Sequence, residues 1–224
     1  MTEKSQRDYK KSQSEEIKTR PLLDLTRTLA KDVFKSRTMP WDAISSISGY
    51  INRNGNKLPY DEYDEIAENV WVHISAYLSP SAKIEPPAII CGGARLCHHS
   101  HVQGSIIGAF AIVGELSTVK NSIMFDRSKL CGQNTLCSSI LGYEALLGNG
   151  SVASDARLDG LNVTVNMPEG LYITGRGHLG AIICDGVKVG SACVLNPGSV
   201  IDGGSIVYPL TSVSGYVYPY STVK

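Results

Sequence analysis

Bulk charge is the first thing missing from this chain of 224 residues: 21 lysines and arginines meet 21 aspartates and glutamates, and the formal net charge is zero. Without an excess of either sign there is no long-range attraction to nucleic acid or to an anionic membrane surface, so neither is expected as a partner. No apolar run approaches the roughly 20 residues that span a bilayer, and the opening stretch, MTEKSQRDYKKSQSEEIKTR, carries charge without the apolar centre of a secretion signal. A cytoplasmic protein is the expectation. Six cysteines are too sparse for a disulfide scaffold, and no CxxC pair or Cys/His spacing of a zinc site occurs. Large side chains are scarce too, with three Phe and two Trp against 22 Gly. That balance suits a narrow interior of small residues better than the core of a compact α/β enzyme.

What is present divides into two patterns. Residues 1–20 are polar and expected to be disordered or frayed. Residues 21–65 read as two short amphipathic helices and a linker. LLDLTRTLAKDVF places Leu22, Leu25, Leu29 and Val33 on one stripe, PWDAISSISGYI does the same with Trp41, Ile44, Ile47 and Ile51, and KLPYDEYDE follows as an acidic connection.

From residue 66 to about 220 the chain repeats. Aliphatic residues fall six apart at Val72, Leu78, Ile84, Ile90, Leu96 and Val102, with small residues two positions before them at Ala76, Ala82, Ala88, Ala94 and Ser100. The series continues after five-residue steps as Ile107, Val113, Val119, then Met124, Leu130, Leu136, then Leu141, Leu147, Ala153, and it resumes at Ile183, Val189, Leu195, Ile201, Val207 and Val213. An α-helix would need apolar residues three or four apart, and a hairpin sheet would show turns at irregular distances. A six-residue step fits a short strand and a tight corner, three of which close a triangular coil. Alternation along each strand then points the aliphatic residue and the small one before it inward. Between Ala153 and Ile183 the hexads fail, and SDARLDGLNVTVNMPEGLYITGRGHLGA, about 154–182, reads as a loop or hairpin extruded from the coil, a usual place for binding on a regular solenoid.

This pattern resembles the hexapeptide-repeat left-handed parallel β-helix, a mainly β prism here preceded by a short helical segment. Its handedness comes from the resemblance, since it departs from the usual right-handed crossover. The helices are expected to pack on the top of the prism or cap its open end, where backbone groups lack partners. More narrowly, EIAENVWVHISAYLSPSAKIEPPAII (65–90), STVKNSIMFD (117–126), SSILGYEALLGNG (138–150), RLDGLNVTV (157–165) and GAIICDGVKVGSACVLNPGSVI (180–201) are similar to the C-terminal acyltransferase-like domain of UDP-N-acetylglucosamine pyrophosphorylase/glucosamine-1-phosphate acetyltransferase-type enzymes. No segment resembles the phosphate loop of their nucleotidyltransferase domain, so pyrophosphorylase chemistry is not expected.

The resemblance implies a homotrimer, acetyl-CoA as cosubstrate in the groove between neighbouring prisms, and a sugar or nucleotide-sugar acceptor. It implies no metal. Transfer needs a base to take the acceptor's proton, ordinarily a histidine. The family's N-H-L-S-Y-I-G-D motif stands here as C-G-Q-N-T-L-C-S, which puts Gly132 at the histidine place, Thr135 at the tyrosine place and Ser138 at the aspartate place. Of the residues implied to hold the acceptor, Gln103 replaces an arginine and Asp155 an asparagine, Lys120 is kept, and His178 stands where a lysine follows the loop. Candidate catalytic groups are therefore His98, Glu115 and His178, with Gln103, Lys120, Thr135 and Asp155 as candidate substrate-binding groups. Stacking of coils puts His98, Glu115, Gly132 and Asn149 in one column, so Glu115 lies about one rung, ~5 Å, from the vacated histidine place and His98 about two.

The cluster of His98, His99 and His101 is outward-facing but spread around a corner, which is poor geometry for one metal. Cys97 and Cys131 share a column two turns apart, near 10 Å, beyond the ~7 Å that a disulfide bridges. Free thiols are expected. Cys137 shares a column with Lys120, whose ammonium is expected to lower the thiol's pKa and make it a reactive-thiol candidate. Two functions follow: an acetyl-CoA-dependent acyltransferase acting on a sugar or sugar nucleotide, or a catalytically silent relative that binds a sugar phosphate or nucleotide sugar, or scaffolds a partner.

Overall fold

The computed structural model describes residues 22–34 and 39–224; the expectation for residues 1–20 lies outside them. The chain forms a left-handed parallel β-solenoid of about 9 turns. Its first face stacks Val70–His73, the ends of Lys83–Ile90 and His101–Ile107, then Ile123–Met124, Ile140–Leu141, Ile182–Ile183, Val200–Ile201 and Tyr216–Val217. The second face runs from Tyr77–Leu78 through Ile112–Glu115 and Lys129–Gly132 to Thr222–Val223. The third contains Thr118–Lys120, Thr135–Cys137, Val152–Ala153, Val194–Leu195 and Ser212–Val213. Lys83–Ile90 and His101–Ile107 turn the corner from third face to first, which joins those two faces into one 14-stranded sheet beside the 8-stranded second face.

The inward pattern follows the hexads. Leu96, Val102, Val113, Val119, Leu130 and Leu136 are fully buried, and the small positions Ala94, Ala111, Ser117, Ser122 and Ser139 are as well. Buried hydroxyls there need partners. Ser122 and Ser139 donate to the carbonyls of Lys120 and Cys137, and each accepts a backbone N–H from the neighbouring coil, Ser139 Oγ from Ala181 N at 3.0 Å. The polar exception, Asn134, accepts from Gly132 N at 2.9 Å and donates to Gly148 O, tying its own coil to the next. Left-handed backbone turns the corners of the five-residue and the six-residue steps alike, as at Gly104 (φ 59°), Asn121 (φ 46°) and Ser138 (φ 45°) in the first and Leu116 (φ 57°) and Gln133 (φ 54°) in the second.

The first face differs from the other two. Its outward side carries a second aliphatic column, Ile89, Ile106, Ile123, Ile140, Ile182 and Val200, each at most 1% exposed. A roof made from the same chain covers it. Helix α1, Asp42–Asn54, buries Ala43, Ile44, Ile47 and Ile51 and packs on Lys83–Ile90 and His101–Ile107. The extruded segment forms an antiparallel hairpin, Val163–Met167 with Gly170–Arg176, that buries Val163, Val165 and Met167. The helical segment thus lies along a face, where sequence reasoning put it on the end of the prism. The end of the first face is covered instead by Tyr63–Ala67, a strand antiparallel to Val70–His73 drawn from the acidic connection.

The first helical run is also interrupted. Leu25–Arg27 and Leu29–Val33 are separate 3-10 turns because Asp24 and Thr28 each accept a backbone N–H two residues on, from Thr26 (3.0 Å) and Ala30 (3.1 Å), a local alternative to continuous helix. This strand of chain follows the prism edge: Asp185 accepts from Asp24 N at 2.6 Å, and the Arg27 guanidinium lies 4.9 Å from the Tyr143 ring centre. Among the described residues no helix is long and apolar enough to cross a membrane.

Candidate active site

The third face carries polar groups at both of its edges. At the edge shared with the second face, Glu115 is paired directly with Gly132 and is exposed. They line a cleft of about 420 Å³ together with Arg95, Leu116, Lys129 and Asn149. The vacated histidine place is therefore beside a carboxylate and two cations. His98, in the same column, is held away: its Nδ1 lies 2.8 Å from Ser79 Oγ and 3.3 Å from Ser81 Oγ, both of the first coil. His101 Nε2 is 3.5 Å from Glu85 Oε1, and His99 sits at a left-handed corner (φ 55°). His98 and His101 thus have separate partners, and the described residues contain no group of three His, Cys, Asp or Glu placed to hold a metal.

At the other edge, where the coil gives way to the hairpin, a connected set forms. Ser138 is buried at its left-handed corner, and its hydroxyl donates to Asp155 Oδ2 at 2.7 Å. The same oxygen lies 3.3 Å from His178 Nδ1. Backbone contacts fix both residues in place: Leu179 N donates to Asp155 O at 2.8 Å, and Ala156 bridges His178 in antiparallel fashion. The returning chain then passes over the corner so closely that a Cβ on Gly180 would lie 2.1 Å from Ser139 Oγ, so only glycine fits. His178 itself is 72% exposed and Asp155 24%. A carboxylate on Nδ1 selects the tautomer with its proton there and leaves the Nε2 lone pair to take one from a substrate.

Lys120 pairs with Gln103 on one side and Cys137 on the other, so these three stand in a column beside the Ser138 corner. Thr135 lies half-buried in the same strand as Cys137, opposite Thr118. The expectation of a lowered thiol pKa fails: burial foremost, then the Asp155 carboxylate, raise that of Cys137, and Lys120 opposes them without prevailing. All six cysteines are free. Cys91 and Cys184 are buried, and burial pushes Cys91 up to about 12.

The structure thus assembles Gln103, Lys120, Cys137, Asp155 and His178 at one edge and leaves His98 and Glu115 at the other, with Thr135 on the strand between. The six steps of chain from Gly132 to Ser138 limit the separation of the edges to about 20 Å. Ser138 was readable as the vacated aspartate place only. Its bond to Asp155 follows from their 17-residue separation, the length of one trimmed coil. The approach of His178 depends on the fold of the hairpin and has no such signal.

No protein-family model matches the chain. It is 29% identical over 171 residues to the bifunctional protein GlmU of Methanococcus maripaludis, an alignment that spans 75% of this chain and 41% of the relative. It is 26% identical over 140 residues to the uncharacterized acetyltransferase YaiX of Escherichia coli O6:K15:H31, across 54% of this chain and 61% of that one. The chain therefore spans 41% and 61% of the length of these relatives. Among solved structures, a point mutant of AntD, an N-acyltransferase from Bacillus cereus in complex with dTDP-4-amino-4,6-dideoxyglucose and coenzyme A, matches 67% of this chain and 77% of its own at 18% identity and a TM-score of 0.41.

Proposed function

We propose that this hexapeptide-repeat β-helix protein, acetyltransferase-like in sequence, transfers an acyl group from acetyl-CoA to an amine or hydroxyl of a sugar or nucleotide sugar, with His178 as the base. The observation that carries this reading is the Ser138–Asp155–His178 chain of contacts beside Lys120. As the acceptor attacks the thioester carbonyl, His178 Nε2 takes its proton; the C–S bond breaks as the new C–N or C–O bond forms, and the proton passes from the imidazolium to the departing thiolate. Asp155 stabilises the imidazolium formed in between, and Ser138 holds the carboxylate in register. Such acid–base assistance contributes typically 10²–10⁴-fold. Lys120 supplies a cation for an acceptor phosphate. The cleft at Gly132, with Arg95 and Lys129 beside Ile112 and Leu116, offers the mixture of cationic and apolar groups suited to coenzyme A.

A homotrimer completes the reading. The first face is roofed by its own chain, so contact with two other copies falls to the second and third faces, where Tyr77, Val194 and Ile206 are exposed. A cytoplasmic setting is part of this proposal.

The test is incubation of the protein with acetyl-CoA and a panel of nucleotide sugars bearing free amines, read by mass spectrometry of the acceptor, because free cysteines interfere with thiol-release reagents. Acetylated product, lost about 100-fold in His178→Ala, is expected. A second reading, binding without turnover, is favoured by Gly132 at the family's histidine place. Calorimetric binding of acetyl-CoA or nucleotide sugar with no product from any acceptor would select it, and absence of coenzyme binding at millimolar concentration would remove the enzyme reading.

A further inference from the structure

The base proposed above follows a glycine-rich piece of backbone. The sequence from 175 to 180 is Gly-Arg-Gly-His-Leu-Gly, with Gly175 at φ 68°. Leu179, just after His178, is fully buried, whereas Gly175 and Gly177 leave the strap upstream of His178 with only Arg176 to anchor it. Its upstream anchor is a side chain. Arg176 Nη2 lies 2.8 Å from Asp42 Oδ1 and 3.1 Å from Ser45 Oγ, both on the first turn of α1. The ring edge of Trp41 meets Tyr172 of the hairpin at 5.7 Å between centroids. Asp42 is itself held, its Oδ2 accepting Met39 N at 3.1 Å, and α1 is fixed by the apolar residues it buries on the first face.

We infer that Asp42 and Arg176 are positioning residues, through which helix α1 sets where His178 stands against Asp155. Stability alone is a poor reason for the pair. Arg176 is only 24% exposed, and its Nε is buried without a hydrogen-bond partner. An arginine left partly unmatched in such surroundings adds little over an apolar side chain of similar size. What the pair does supply is a fixed point two residues before His178. The Ala156–His178 bridge, with the buried Leu179 after it, is the other fixed point. With both, the imidazole is held; with the second alone, the glycines let it swing.

This inference rests on His178 being the working base, but it has a readout that needs no substrate. In the full chain, the ring tautomer of His178 is measured by long-range 1H–15N NMR in wild type, Asp42→Asn, Arg176→Met, Arg176→Lys and the exchanged pair Asp42→Arg/Arg176→Asp, with thermal melting alongside. Loss of the tautomer protonated on Nδ1 is expected in Asp42→Asn and Arg176→Met, with recovery in Arg176→Lys and in the exchanged pair. Where product is formed, kcat falls about tenfold in the first two with KM within about twofold, because misplacement of a reacting group is felt in the chemical step. A His178 tautomer unchanged in Asp42→Asn and Arg176→Met overturns the inference, whatever their melting temperatures. Should Arg176→Met fail to fold, Asp42→Asn decides alone, since it keeps the helix and removes only the charge. A tautomer that follows Arg176 while His178→Ala retains activity keeps the positioning and refutes the catalytic reading, so the two fail separately.

Discussion

The first and third faces of the prism are built on the same hexads, with the same buried aliphatic column inside, and they do opposite things outside. Through the middle of the first face the inward residue is preceded by another aliphatic, as in Ile89–Ile90, Ile106–Ile107, Ile140–Leu141 and Ile182–Ile183, and the outer member is as buried as the inner. On the third face the same position holds His101, Thr118, Thr135 and Val152, which remain partly open to solvent. One residue per step therefore decides whether a face recruits a roof or offers a site. Full burial of an isoleucine side chain is worth about 1.5–3 kcal/mol, and six such positions are enough to hold α1 and the hairpin on the prism. The division also explains why the hairpin leaves the coil where it does. It springs from the edge between the two faces, so its body joins the roof while its stem carries His178 to the polar edge.

The largest effect that tests this contrast is on stability. Ile140→Ala, on the outer column of the first face, is expected to lower the unfolding free energy by about 2–5 kcal/mol. Thr118→Ala, at the matching register on the third face, should change it by no more than about 0.5 kcal/mol. Chemical denaturation followed by circular dichroism measures both. Equal losses would mean that the roof contributes nothing beyond coverage, and the contrast between the faces would fall.

The doublets were present in the sequence, and they are the clearest feature that hexad reasoning passes over. A period of six fixes which residues point inward, and the inward set matched the structure down to Asn134 and Ser139. It treats everything else as outside. Whether an outward position is wet or covered depends on distant segments, and the repeat carries no information about those. The same limit governs the site. Lys120, Gln103 and Cys137 share a column because column membership is arithmetic, as is the adjacency of Glu115 and Gly132. His178 reaches Asp155 through a hairpin of irregular length, which arithmetic does not follow. Leu22–Phe34 failed differently: its apolar stripe has helical spacing, but Asp24 and Thr28 offered their own side chains to the backbone and broke the run.

A kinetic comparison of the two edges of the third face comes next in size. His178→Ala is expected to reduce acetyl transfer about 100-fold, Asp155→Asn about tenfold through loss of tautomer and imidazolium stabilisation, and Glu115→Gln less than about threefold. If Glu115→Gln proves the most damaging of the three, catalysis belongs to the cleft at Gly132, and the hairpin edge serves the acceptor alone.

The smallest effect concerns Cys137, which lies at the hairpin edge and reports on the charges around it. Alkylation proceeds through the thiolate, so at a fixed pH a higher thiol pKa means a slower reaction. Burial and the Asp155 carboxylate raise the Cys137 pKa while Lys120 lowers it. Iodoacetamide labelling at neutral pH, followed site by site by mass spectrometry, should therefore run slower at Cys137 than at an unstructured peptide thiol, and its rate should climb with pH beyond the point where the peptide levels off. Removing one charge at a time gives opposite signs: Asp155→Asn should speed labelling and Lys120→Met should slow it. Each change should stay below the tenfold that one unit of pKa represents, at about two- to fivefold, because burial, the foremost cause, is left in place. A rate insensitive to both substitutions would mean that neither charge faces the thiol, and the grouping of Lys120, Cys137 and Asp155 into one polar edge would have to be abandoned.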